Sequence, residues 1–112
     1  NIYIDIMEQI GGFDQFKTCM DSDKYILLFF TASWCGPCKK IYPQLEELSS
    51  KLNKDLIQIY KVQIDNDDNE EICQIFKVES VPSFYLMKNK ECLNQMKGAD
   101  INGIKSMLNI KD

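Results

Sequence analysis

Two residue types are missing from this 112-residue chain: it has no histidine, and its thirteen basic residues are all lysine. Without histidine there is no Ser-His-Asp triad, no Cys-His nucleophile pair and no Cys2His2 zinc site. Without arginine there is no bidentate reader of phosphate or guanine. Long apolar runs are absent too. The longest, Tyr25 to Phe30, suits a buried strand and falls well short of the roughly 18 residues of a membrane helix. Five glycines and three prolines are too few for a collagen-like or linker-like chain. Seventeen acidic residues outweigh the lysines to give a net charge of −4, with the two signs interspersed, so no nucleic-acid surface is expected. Five cysteines are an odd number and too sparse for a disulfide-stapled scaffold. The chemistry left must come from thiols, carboxylates or lysines.

With 45% hydrophobic residues and no internal repeat, low-complexity tract or linker, residues 1–112 are expected to form a single domain. The chain opens on Asn1 rather than Met, so the natural N-terminus is expected upstream and a lost targeting segment stays open.

Ile2, Ile4 and Ile6 alternate with polar neighbours, as in a half-buried strand. After Gly11-Gly12, Phe13, Phe16 and Met20 mark a short amphipathic helix over Phe13 to Met20. Tyr25 to Thr31 has the pattern of a central strand covered on both faces. Pro37 suits the first turn of a helix whose apolar face is Ile41, Leu45, Leu48 and Leu52, with Pro43 inside it as a kink. Leu56 to Ile64 predicts a second central strand. In Asp68-Asn69-Glu70-Glu71, Asp68 is the expected cap of a helix that buries Ile72, Ile75 and Phe76. Ser83 to Met87 and Cys92 to Met96 predict strands joined by a turn near Asn89-Lys90. Asp100 should cap a last helix with Ile101, Ile104, Met107 and Leu108 inward. The order β-α-β-α-β-α-β-β-α predicts an α/β fold, a mixed central sheet with helices on both faces.

The chemical signal is Trp34-Cys35-Gly36-Pro37-Cys38. Two thiols separated by two residues, after a buried strand and opening a helix, form a redox constellation. Cys35 lies where unpaired backbone N–H groups and the positive end of the helix dipole favour a thiolate, the nucleophilic form. Cys38, one turn inward, is placed to close a disulfide, so Cys35 attacks and Cys38 resolves. Half a zinc site is the competing reading, but no second Cys-x-x-Cys and no histidine complete it. Cys73 suits a buried structural thiol, and Cys19 and Cys92 inert or half-buried ones. Asp65, Asp67 and Asp68 lack the spacing of a calcium loop and suit a solvated, helix-capping stretch. Lys39 and Lys40 suit a solvated helix face that adds positive charge near the thiols.

These residues resemble the thioredoxin family. The pentapeptide matches the family's active site residue for residue, and Thr31-Ala32-Ser33 resembles the approach seen in eukaryotic members. Pro43, Val81-Pro82-Ser83-Phe84, Gly98, Lys61 and Asp65 also stand at family positions. The resemblance implies a thioredoxin fold and a protein-disulfide reductase working through a mixed disulfide, with the Cys35–Cys38 disulfide as its redox group and no cofactor. It implies that Pro82 is cis, that the Val81 backbone pairs with an extended substrate, and that Trp34, Gly36, Gly98 and Ala99 border the substrate groove. Trp34, Gly36, Pro37, Pro82 and Lys61 are its implied supporting residues. Implied partners are disulfide-containing proteins and, as electron donor, an NADPH-linked thioredoxin reductase or glutathione. No nucleic acid, membrane or metal is implied. A cytoplasmic monomer is the default, with an organelle open.

Two departures stand out. Where the family carries a buried aspartate six residues before the first cysteine, this chain has Phe29, which cannot take a proton and leaves Lys61 without its usual counter-charge. Slower resolution by Cys38 is the expected result. Lys90 replaces a frequent turn glycine. A rival reading takes the domain as a peptide-binding or chaperone-like module with weak turnover. A further one makes it an oxidant, for which a reduction potential of roughly −120 to −180 mV, rather than roughly −270 mV, would speak.

Overall fold

The computed structural model describes residues 7–109. The elements are β1 (Glu8–Ile10), α1 (Phe13–Met20), β2 (Tyr25–Thr31), α2 (Gly36–Lys51), β3 (Ile57–Gln63), a 3-10 turn (Asp67–Asn69), α3 (Glu70–Phe76), β4 (Ser83–Lys88), β5 (Glu91–Lys97) and α4 (Ile101–Met107). The strand expected over Ile2 to Ile6 lies outside the described residues. The first strand described is β1.

The five strands form one mixed sheet in the order β1-β3-β2-β4-β5. β2 pairs parallel with β3 and antiparallel with β4, so both of its edges are occupied. That explains its unbroken apolar sequence: a central strand covered on both faces has no solvent side on which to place polar residues. Successive side chains then divide between the layers. Leu27 and Phe29 face α2 and α4, in a core with Ile41, Leu45, Phe84 and Ile104. Ile26, Leu28 and Phe30 face α1 and α3, in a second core with Phe16, Met20, Ile72 and Tyr85.

Several boundaries and burials differ from the sequence pattern. Leu52 lies past the end of α2, in extended backbone, yet still packs against the first core. Asp68 does not cap α3. The side chain of Asn66 accepts from Asp68 N at 3.0 Å and opens the 3-10 turn instead. Asn69, at the N-cap position of α3, has its side chain committed elsewhere. Its Oδ1 accepts from Gly12 N at 2.8 Å, and its Nδ2 donates to Gln63 O at 3.0 Å and Ile10 O at 3.4 Å. A fully buried amide is stable only when its polar atoms are paired, and here that need joins β1, α1 and β3. Ile72 is fully buried and Phe76 packs against the second core, but Ile75 is 52% exposed. The α3 helix is only seven residues long, and its apolar stripe is wider than the surface it covers. Asp100 caps α4 as expected, accepting from Gly103 N at 3.1 Å.

The β4–β5 turn places both Asn89 (φ 51°) and Lys90 (φ 67°) in left-handed backbone. Two-residue hairpins need this conformation because it matches the strand twist, and glycine adopts it most easily. Lys90 adopts it with a full side chain, whose ammonium reaches Asp21 at 3.1 Å.

Candidate active site

β2 ends at Thr31, and the chain turns through residues 32–35 into α2. Two attachments fix this turn. Cys35 N donates to Ala32 O at 3.2 Å. The Ser33 hydroxyl donates to the Asp65 carboxylate, and Ser33 N lies 3.3 Å from both carboxylate oxygens. The Ser33 hydroxyl is the main reason the Asp65 carboxyl lies below its usual range. Asp65 follows β3 in the chain, so the position of the turn is set by a neighbouring strand.

Cys35 is the N-cap of α2. Its backbone is extended, and its sulfur accepts from Cys38 N at 3.2 Å. Pro37 occupies the first turn, which holds no acidic residue. The first N–H groups of a helix have no internal partner, so one of them is directed at the sulfur. Cys35 and Cys38 are joined in a disulfide with their Cα atoms 5.3 Å apart, and both are buried. Trp34 beside them is 68% exposed.

Several of the other predicted residues share a contact or a depression with one another or with this pair. The Val81–Pro82 peptide is cis. Val81 packs against the core cluster that contains Cys35 and Cys38. Gly98 N donates to Pro82 O at 2.9 Å, and Gly98 has a φ of 96°, where a side chain would strain the backbone. Gly36, Pro37 and Ala99 line one depression of about 450 Å³. Cys38, Lys39, Tyr42, Pro43 and Lys61 line another of about 280 Å³.

Phe29 is fully buried beneath this region. It stacks on Phe84 with ring centroids 5.1 Å apart and planes 7° apart, and lies 6.5 Å from the Tyr42 ring. The absent carboxylate does not leave Lys61 isolated. Its ammonium sits over the Tyr42 ring at 4.8 Å and attracts Glu46, one helical turn beyond Tyr42.

Glu46 is the feature the sequence reading overlooked. It is 8% exposed, and its Oε2 has no hydrogen-bond partner among the described residues. Its position next to Leu45 on the inner side of α2 was the available signal. Burial raises its carboxyl above the ordinary value of 4.5, and the opposing pull of Lys61 is smaller. A group whose pKa is higher in the folded state stabilises the fold when protonated. That stabilisation is present below about pH 4.5 and lost as pH rises through the folded value. Glu46→Gln should therefore be at least as stable as the parent at pH 7, with the difference closing at pH 4. Urea denaturation at both pH values measures this.

Other thiols stay apart. Cys19 is buried, Cys73 is half-buried rather than fully enclosed, and Cys92 is exposed on β5. Burial pushes the Cys19 and Cys73 thiols up, which makes them poor nucleophiles. Among the described residues no cluster of three metal-ligating side chains forms, and no helix is long and apolar enough to cross a membrane.

Comparison with known proteins gives one family. The family model for thioredoxin matches residues 11–109. Thioredoxin from Malassezia sympodialis is 35% identical over 94 residues, which cover 84% of this chain and 88% of that protein. An H-type thioredoxin from Fagopyrum esculentum is 37% identical over 86 residues, covering 77% and 71%. The crystal structure of the M. sympodialis protein superposes with a TM-score of 0.83 at 33% identity, over 90% of this chain and 86% of that one. An Entamoeba histolytica protein gives 0.80 at 36% identity, over 91% and 96%. With the paired cysteines at the start of α2 and this match along almost the whole chain, the protein belongs to the thioredoxin family and is a thiol–disulfide oxidoreductase.

Proposed function

We propose that the chain reduces disulfides in other proteins, with Cys35 as nucleophile and Cys38 as resolving thiol. The observation that carries this reading is the position of Cys35 as N-cap of α2, with Cys38 N–H directed at its sulfur. In the reduced protein that N–H, the helix dipole and the absence of acidic residues in the first turn favour the thiolate. The thiolate attacks one sulfur of a substrate disulfide. The substrate S–S bond breaks, a Cys35–substrate disulfide forms, and the other substrate sulfur leaves as thiolate. Cys38 then gives up its proton and attacks the Cys35 sulfur. The mixed disulfide breaks and the second substrate thiolate leaves. The substrate has gained two electrons, and the enzyme holds the Cys35–Cys38 disulfide.

Trp34, Gly36, Val81, Pro82, Gly98 and Ala99 form the substrate groove in this reading. The bond from Gly98 to Pro82 and the shared depression at Gly36 and Ala99 support it. An extended substrate segment pairs with the Val81 backbone. Lys61, in the pocket beside Cys38, supplies positive charge that favours a Cys38 thiolate. Phe29, fully buried in the same core cluster as Cys38, offers no proton acceptor, so resolution is the slow step. Re-reduction comes from an NADPH-linked thioredoxin reductase or from glutathione.

The test is reduction of insulin with dithiothreitol as electron source. The parent should turn over many times, and the Cys35→Ser protein not at all. A parent rate no higher than dithiothreitol alone, with both thiols reactive, would overturn the reading in favour of the peptide-binding module. A reduction potential near −270 mV supports the reductant, and one of about −120 to −180 mV the oxidant.

A further inference from the structure

A cavity of about 570 Å³ lies away from the cysteine pair. It opens on the α1–α3 layer, whereas Cys35 and Cys38 belong to the core on the α2–α4 side of the sheet. Met87 of β4 lines it, while Ser83, four residues back along that strand, lies next to Pro82. At about 3.4 Å per residue the two ends are separated by about 14 Å of strand.

Its walls are Phe16 and Met20 of α1, Ile75 and Phe76 of α3, and Met87. Phe16 and Phe76 meet edge to face at 5.9 Å. Ile75, which helical spacing would bury, stands half in solvent on this wall. Apolar side chains around a concave, hydrated space gain free energy when an apolar body displaces the water. Two methionines let the walls adapt to its shape.

Charge at the mouth selects the other end of the occupant. Lys17 and Lys90 stand at it with one lining carboxylate, Asp21, which places two ammoniums at the mouth. Lys90 contacts Asp21 at 3.1 Å, and Lys17 contacts Asp14 at 3.7 Å. All four side chains are mostly exposed. Exposed pairs of this kind contribute little, so either ammonium can turn to a new anion at little cost. We propose that this cavity binds a small amphipathic carboxylate, its acyl or aryl body among Phe16, Met20 and Ile75 and its head at Lys17 and Lys90. The site is independent of the disulfide-reduction reading.

Cys92 also lines the cavity and provides a reporter. In the oxidised protein Cys35 and Cys38 are joined, Cys19 is buried and Cys73 half-buried, which leaves Cys92 as the exposed thiol. Titration calorimetry of the oxidised protein with sodium decanoate, below its micellar concentration, should give saturable one-to-one binding. Decanoate should slow iodoacetamide labelling of Cys92 at least threefold. Ile75→Asp, at an exposed position, should weaken binding at least tenfold, as should Lys17→Glu with Lys90→Glu. Insulin reduction by these variants should match the parent and serves as the folding check. Non-saturable uptake, or binding unchanged by Ile75→Asp, would overturn the site. Equal affinity for decanol and decanoate would overturn the carboxylate assignment. If decanoate does not bind and the parent self-associates while Ile75→Asp is monomeric by sedimentation, the cavity is a contact between copies and the proposal fails.

Discussion

Cys38→Ser is expected to leave the protein covalently attached to its substrate after one encounter, with multiple-turnover insulin reduction down by roughly a hundredfold or more. The argument rests on the asymmetry of the two positions. Cys35, as N-cap, keeps its thiolate support when residue 38 changes, because the donor to its sulfur is the backbone N–H of residue 38 rather than its side chain. Attack therefore survives. Release does not, because a serine hydroxyl is far too weakly acidic to displace a thiolate at neutral pH. Non-reducing electrophoresis after mixing with insulin should show a stable adduct that dithiothreitol dissolves. Cys35→Ser, whose remaining active-site thiol lies inside α2 without the N-cap position, should form little adduct. Equal adduct from both variants would show that the roles are not divided as proposed. In the parent, the slow release expected above Phe29 should make a short-lived adduct visible by acid quenching.

Phe29→Asp is expected to speed that release and to cost about 3–5 kcal/mol of stability, the range for truncating a buried aromatic. Phe29 is fully buried and its ring stacks on Phe84, so the substitution removes a ring–ring contact and leaves space that a carboxylate cannot fill. An ionised carboxylate there is desolvated, which raises its pKa and gives the Cys38 proton an acceptor near neutral pH. The sign of the pH effect follows. The variant is least destabilised when that aspartate is protonated, and it loses stability as pH rises through the raised value. Urea denaturation from pH 5 to 8 reads the stability, and acid-quenched single turnovers at low temperature read the release rate. Phe29→Leu separates the two effects, because it keeps the site apolar. It should cost less stability and leave release slow. Release slower in Phe29→Asp than in the parent would remove the proposed role of Phe29.

The agreement between pattern and fold was greatest where one physical requirement acts locally. The helix over Phe13–Met20 and the strand over Tyr25–Thr31 have the bounds their periodicity implies, because apolar spacing alone decides which faces can be buried. The Cys35–Cys38 pair was equally legible: its spacing on one helical turn, after an apolar strand, brings the sulfurs together without help from the rest of the chain.

The exceptions are residues whose partners lie far away in sequence. Asp68 is the expected cap by local pattern, yet it is the neighbouring Asn69 whose amide is buried and bonds Gly12, 57 residues distant. Ile75 fits a buried helical face, yet it stands 52% exposed on the wall of the cavity between α1 and α3. Lys61 loses one counter-charge by the change to Phe29, yet gains the Tyr42 ring and Glu46 from α2. By itself, then, the sequence determined the class of fold, the redox pair and which thiol lies at the helix start, because periodicity and short-range spacing suffice for those. Tertiary structure alone decided which polar groups are buried, which apolar side chains are left uncovered and what faces Lys61. Each of these depends on how two separate elements meet, and no local pattern encodes that distance.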